Sequence, residues 1–246
     1  MLRFRPLMAL AVVTVGCSIF RAPVIPMRTL ALGARGGGTC LAVLLPGRWD
    51  GPESFRKAGF AEAVEKRGLR LDLVAVDAHL GYYRDRSVVE RLHLDVVAPA
   101  RAAGYRTIWI VGTSLGGVGG LLYLRDQPND LSGVLALAPF LGADELIREI
   151  AAAGGPRRWT PPATLPTDDV GRELWSWLVP WAMSRQATPL HLGWGSEDSF
   201  AGANQMLATL LPRENVYAVR GRHDWGTWSR LWEQFLDRTS PCPGEP

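Results

Sequence analysis

Short unbroken apolar runs alternate along the chain with stretches in which apolar residues recur every three or four positions. The runs at 40–45, 71–76, 108–111, 133–137, 190–194 and 216–219 are bounded by Gly, Pro or charged residues, the pattern of strands buried on both faces. A further strand is predicted at 27–32, ahead of a glycine-rich turn. Helices are predicted between them at 53–67, 87–103, 115–125, 201–211 and 227–236. In the second of these, Val88, Leu92, Val96 and Ala100 recur at a four-residue interval. Strands alternating with helices predict an α/β fold: a mainly parallel central sheet with helices on its faces and right-handed crossovers.

One stretch breaks this rhythm. Between Pro139 and Thr188 the connection is too long for a simple loop and carries its own helical patterns at 143–150 and 172–183, with a Pro-rich middle. It reads as a small helical lid inserted at about 143–187 of a domain spanning 28–238, with a tail at 239–246. Four tryptophans in the lid, Trp159, Trp175, Trp177 and Trp181, would form an apolar wall if it folds down over a site, with Trp177 and Trp181 as substrate contacts. Simple packing is the commoner role of such residues. Arg157, Arg158, Arg172 and Arg185 could meet an anionic group, though solvated surface charge is the preferred reading.

The N-terminus changes the picture. Arg3 and Arg5 precede an apolar run from Leu7 to Val15 and then Gly16-Cys17-Ser18, the layout of a secretory signal over 1–17 and too short to span a bilayer comfortably. Thr14-Val15-Gly16-Cys17 is similar to a bacterial lipobox, although Thr14 stands where an aliphatic residue is usual. The expectation is export to the cell envelope with a lipid on Cys17 holding the chain to a bacterial membrane on its periplasmic side. Plain secretion and a retained N-terminus are the alternatives. The formal charge of +3 is too small to suggest a nucleic-acid partner. Beyond Cys17 only Cys40 and Cys242 remain; two unpaired thiols are preferred to a disulfide, because a single pair leaves no framework to recognise. The four histidines lack ligand spacing, so neither a metal nor a cofactor is expected.

The candidate chemistry centres on Gly112-Thr113-Ser114-Leu115-Gly116, a G-x-S-x-G motif. With 27 glycines in 246 residues the letters alone are weak. Position strengthens them: a predicted strand ends in the motif and an apolar helix begins in it, so a tight turn presents the Ser114 hydroxyl at the carboxyl end of the sheet. Free amides at the start of that helix face any oxyanion formed there. A serine needs a base, and His223 follows the last predicted strand; the base needs an acid, and Asp198 follows the strand before. Glu197 is the rival for that role. All three candidates lie beyond carboxyl ends of strands, where open α/β sheets gather their sites.

The order Ser, Asp, His and these local motifs resemble the α/β-hydrolase superfamily over roughly 28–238, and within it small bacterial esterase-like members. The resemblance implies a Ser114, Asp198, His223 triad and cleavage of a small carboxylic ester or thioester through an acyl-serine, without a cofactor. It also implies an oxyanion hole from the amides of Leu115 and Arg48, with Trp49 as alternative donor and substrate neighbour. Two departures stand out: Pro46-Gly47 replaces the usual His-Gly pair, and Arg222 replaces a common glycine. Acyl transfer on the same triad and a non-catalytic envelope binding protein are the alternatives, and oligomeric state is left open. His79 follows a strand near the site edge and could contact substrate, but a loop held by packing is favoured. His93 and His191 read as structural, and Asp224 as capping the following turn or facing solvent.

Overall fold

A computed structural model of the chain describes residues 21–33, 38–165, 168–184 and 188–242. The signal-like segment, Cys17 and Arg185 lie outside the described residues. Among these, seven strands form one sheet: β1 (Thr29–Leu32), β2 (Cys40–Leu45), β3 (Leu71–Val76), β4 (Thr107–Thr113), β5 (Gly133–Leu137), β6 (Leu190–Gly195) and β7 (Val216–Val219). The order across the sheet is β1-β3-β2-β4-β5-β6-β7. Every neighbouring pair is parallel except β1 with β3, where Thr29 lies opposite Val76. All residues of β2, β5 and β6 are buried, which explains their unbroken apolar runs. The fold class is therefore α/β, as the alternation predicts.

The helices depart from expectation where a single residue intervenes. The helix expected over 53–67 is two, α1 (Pro52–Lys57) and α2 (Phe60–Glu65), because Gly59 turns the backbone to φ +76° between them. A short helix, α3 (Leu80–Arg84), follows β3. The long helix after it is α4 (Val88–Leu92) and α5 (Ala98–Ala102), joined by one π-helical stretch, His93–Val97. Pro99 accounts for the widening: it has no N–H to give and its ring would strike the carbonyl four residues back. Then come α6 (Leu115–Asp126), the two lid helices α7 (Asp144–Ala152) and α8 (Val170–Met183), α9 (Ala201–Ala208) and α10 (Trp225–Arg238). No helix among the described residues is long and apolar enough to cross a membrane.

The lid is tied down from several sides. Leu174, Trp175 and Leu178 of α8 are fully buried, and the Trp175 indole N–H donates to the Leu141 carbonyl at 2.9 Å. Arg172 joins α8 to α7 through Glu149 at 2.8 Å and also pairs with Asp169, so this arginine is occupied within the lid. Arg157 reaches the Thr209 carbonyl at 3.4 Å.

One feature of the core corrects an expectation and another bears one out. Cys40, at the head of β2, is joined to Cys242 by a disulfide (S–S 2.06 Å) across 202 residues, so the preference for unpaired thiols is corrected. The Trp109 indole N–H donates to the Pro241 carbonyl at 2.8 Å, holding the tail against β4 as well. His191 sits on β6 among Trp109 and Phe235, with Nδ1 3.0 Å from the Tyr217 hydroxyl, and burial pushes its pKa from 6.5 down to about 4.

Closing so long a loop restricts the unfolded chain, so reduction should lower stability by about 2–4 kcal/mol in urea unfolding. Cys242→Ser should show the same loss and no further response to reductant. His191 supplies a pH signature. An unfolded histidine takes up a proton near 6.5 while the folded one stays neutral to about 4, so the unfolded state binds more protons between those values. Its contribution is complete above pH 6.5 and falls as pH drops towards 4, by about 3 kcal/mol. Urea midpoints across that window should slope accordingly in the wild type and flatten by that amount in His191→Gln.

Candidate active site

The turn from β4 into α6 is so tight that it determines which residues can occupy it. Ser114 adopts φ +52°, ψ −113°, a left-handed conformation that a residue with a Cβ takes only when its surroundings enforce it. They do. The Ser114 amide donates to the Leu137 carbonyl of β5 at 2.8 Å, and its carbonyl accepts from Val118 at 3.2 Å. A Cβ on Gly112 would lie 2.1 Å from the Gly116 carbonyl oxygen, and one on Gly116 would lie 2.0 Å from that of Leu45. Both glycines of the motif are thus required by backbone passing backbone, which turns a weak letter pattern into a structural one.

Asp198 and His223 come from the loops after β6 and β7, which are bound to each other. The Ser196 amide donates to Val219 and the Glu197 amide to Gly221, each at 2.8 Å. A Cβ on Gly195 would meet the Gly221 carbonyl oxygen at 2.3 Å. Held this way, His223 Nδ1 stands 2.7 Å from Asp198 Oδ2, and Asp198 Oδ1 accepts the Phe200 amide at 2.8 Å. The Asp198 side chain is completely buried, while His223 retains 25% exposure. A buried carboxylate is costly unless its oxygens are bonded, and here both are. The His223 ring is gripped edge-on between Phe200 and Trp228, with centroids at 4.8 and 5.0 Å. Glu197, the rival acid, points away and pairs with Arg220 at 2.7 Å. Asp224 caps α10 by accepting the Thr227 amide at 2.8 Å.

Contacts from the loops after β2 and β5 reach the His223 loop, and among the described residues no hydrogen bond joins Ser114 to His223. On one side, a Cβ at Gly47 would lie 3.6 Å from Ser114 Cβ and 2.9 Å from Asp50 Oδ2. Asp50 Oδ1 in turn accepts the indole N–H of Trp225 at 3.0 Å, two residues after His223. On the other, Phe140, just past β5, packs edge-on against Phe200, which packs against His223. Asp50 is the site residue that sequence reasoning missed. It closes the Gly47-to-Asp50 turn through its own amide at 3.1 Å and ties that loop to the start of α10. The only signal was an aspartate three residues after a glycine, common in any turn.

Among the described residues no acceptor takes the N–H of Arg48 or of Leu115. The Arg48 amide follows directly on Gly47, which lies against Ser114, and the Leu115 amide opens α6. The Arg48 guanidinium lies 4.8 Å above the Trp49 ring, which is 66% exposed. His79 is placed differently from a substrate contact: it is buried, and Nδ1 accepts the Gly81 amide at 3.2 Å, capping α3. Burial, then the charge of Arg21, lowers its pKa, which keeps the ring a neutral acceptor. Trp177 and Trp181 pack against each other at 5.4 Å on α8, away from the large cavity beside the turn. His93 bonds Asp130 at 2.9 Å and is structural, like His191. No group of three or more His, Cys, Asp or Glu side chains among the described residues is gathered for a metal ion.

No protein-family model and no curated protein sequence matches the chain. Solved structures do. S-formylglutathione hydrolase FrmB from Staphylococcus aureus superposes with a TM-score of 0.56 at 13% identity, covering 88% of this chain and 97% of that one. Est1E from Butyrivibrio proteoclasticus, solved with ferulic acid bound, gives 0.54 at 14% identity, covering 85% and 94%. A protein from Thermoplasma acidophilum described as a predicted CIB-like hydrolase gives 0.55 at 17% identity, covering 87% and 94%. With its mostly parallel seven-stranded sheet, its serine turn between β4 and α6 and these likenesses, the chain has the α/β-hydrolase fold.

Proposed function

We propose that the chain is a serine hydrolase that cleaves a carboxylic ester or thioester through an acyl-serine intermediate. The observation that carries this reading is the Asp198–His223 pair, its carboxylate buried and its two loops bonded to each other, in a chain whose Ser114 is held at positive φ at the end of a neighbouring strand. Binding alone would require neither.

In the proposed reaction His223 Nε2 accepts the Ser114 proton as Oγ bonds to the substrate carbonyl carbon. Asp198 fixes the tautomer by accepting the Nδ1 proton and stabilises the imidazolium. The carbonyl oxygen becomes an oxyanion held by the Arg48 and Leu115 amides, whose N–H groups have no other acceptor. Collapse breaks the bond to the alcohol or thiol, which leaves with the proton from Nε2. Water then attacks the acyl-serine, giving its proton to His223 and releasing the acid, and the Ser114 hydroxyl is restored.

The proposed setting is outside the cytoplasm, with Cys17 as the lipid attachment. The Cys40–Cys242 disulfide supports export, since such bonds persist in oxidising compartments.

The test is reaction of the purified protein with a fluorophosphonate probe together with p-nitrophenyl acetate turnover. Wild type should label and turn over. Ser114→Ala and His223→Ala should do neither, Asp198→Asn should lose about 10^4-fold in kcat, and Glu197→Gln should behave as wild type. A folded wild type that neither labels nor hydrolyses would overturn the enzyme reading in favour of a binding scaffold.

A further inference from the structure

An opening of about 830 Å³ lies between the serine turn's helix α6 and the lid helix α8, with α3 and α4 along its side. That is the size of a small-molecule site rather than a packing defect. Val88, Leu115, Val118, Leu122, Phe140 and Leu146 supply much of its wall. Neither Ser114 nor His223 lines it, but Leu115, which follows Ser114, does. Leu115 gives its amide to the turn and its side chain to the cavity, and Phe140 reaches His223 through Phe200.

Three arginines of its lining are already paired with carboxylates. Arg86 lies 2.8 Å and Arg125 3.7 Å from Glu173, Arg125 also pairs with Asp126, and Arg172 is held by Glu149 and Asp169. An anionic ligand would have to displace a carboxylate from Arg86, Arg125 or Arg172. A neutral apolar chain disturbs none of these pairs and removes aliphatic wall from water.

We infer that this cavity holds an extended apolar chain of the ester that Ser114 attacks, so that the enzyme selects medium-length chains over acetyl or ethyl groups. This rests on the serine hydrolase reading. The chain belongs to the acyl side or to the alcohol side of the scissile bond.

Two ester series separate the sides: p-nitrophenyl esters from acetate to octanoate, and acetate esters from ethanol to octanol. Each methylene entering the cavity should raise kcat/KM about fourfold in the wild type, along one series. Leu122→Trp and Val89→Trp, which fill the cavity from different helices, should flatten that rise. Leu94→Trp, on an exposed face, should keep it. Binding of the neutral fluorophore N-phenyl-1-naphthylamine to Ser114→Ala supplies a readout independent of turnover, strong in that background and lost when Leu122→Trp is added. Fluorophore binding without ester turnover in the wild type would sink the hydrolase reading while leaving an apolar site. Turnover with no rise along either series, or a rise that survives both filling variants, would overturn the cavity assignment.

Discussion

The site depends on one close approach, the first turn of α6 passing the end of β2. A methyl group at Gly116 would sit 2.0 Å from the Leu45 carbonyl oxygen, so there is no room for any side chain at this crossing. The parallel register of β2 and β4, which sets Leu45 opposite Gly112, brings the two strand ends level. From there β4 turns into Ser114 and β2 runs into the loop that carries Arg48. The serine and both candidate oxyanion amides are thereby placed by sheet geometry rather than by free loops, which is the more exact way to hold them.

The other half of the site obeys the same logic with a different currency. Here the loops after β6 and β7 cross at Gly195 and Gly221 and exchange backbone hydrogen bonds, and the result is a carboxylate with no exposure. Burial makes Asp198 intolerant of a missing partner, since an unpaired charge in that position costs several kcal/mol. His223 is consequently a requirement of the loop as well as the proposed base: without its Nδ1 proton, the Asp198 side chain keeps only the Phe200 amide. Local stability and the proposed function draw on the same hydrogen bond.

The sequence was most legible where burial is complete. β2, β3, β5 and β7 begin and end where their apolar runs do, and β4 and β6 extend slightly past theirs into the glycines that serve the site. Ser114, Asp198 and His223 could be picked out because each stands just beyond such a run. What could not be read has physical reasons. A disulfide between residues 202 apart leaves no periodic trace. Gly59 and Pro99 act through backbone geometry that an apolar pattern does not register. α3 depends on His79 serving as a cap, a role its residue type seldom plays. Asp50 acts by linking two distant loops, and only the fold makes Trp225 its neighbour.

In the tryptophan-rich lid the helix stands where the sequence places it, but its indoles do not wall the cavity beside α6. The helix over 170–183 exists, but Trp175 turns inward to the Leu141 carbonyl, while Trp177 and Trp181, one turn apart, meet each other. The cavity is walled instead by aliphatic residues that the sequence scatters over five helices. Whether such a lid swings depends on what fastens it. Its ion pairs from Glu173 to Arg86 and Arg125 are partly exposed, worth about 1 kcal/mol or less each. Leu174, Trp175 and Leu178 are fully buried, worth about 2 kcal/mol each by area alone. Hydrophobic contact therefore outweighs the salt bridges, and α8 is better described as a fixed wall of the cavity than as a gate closed by charge.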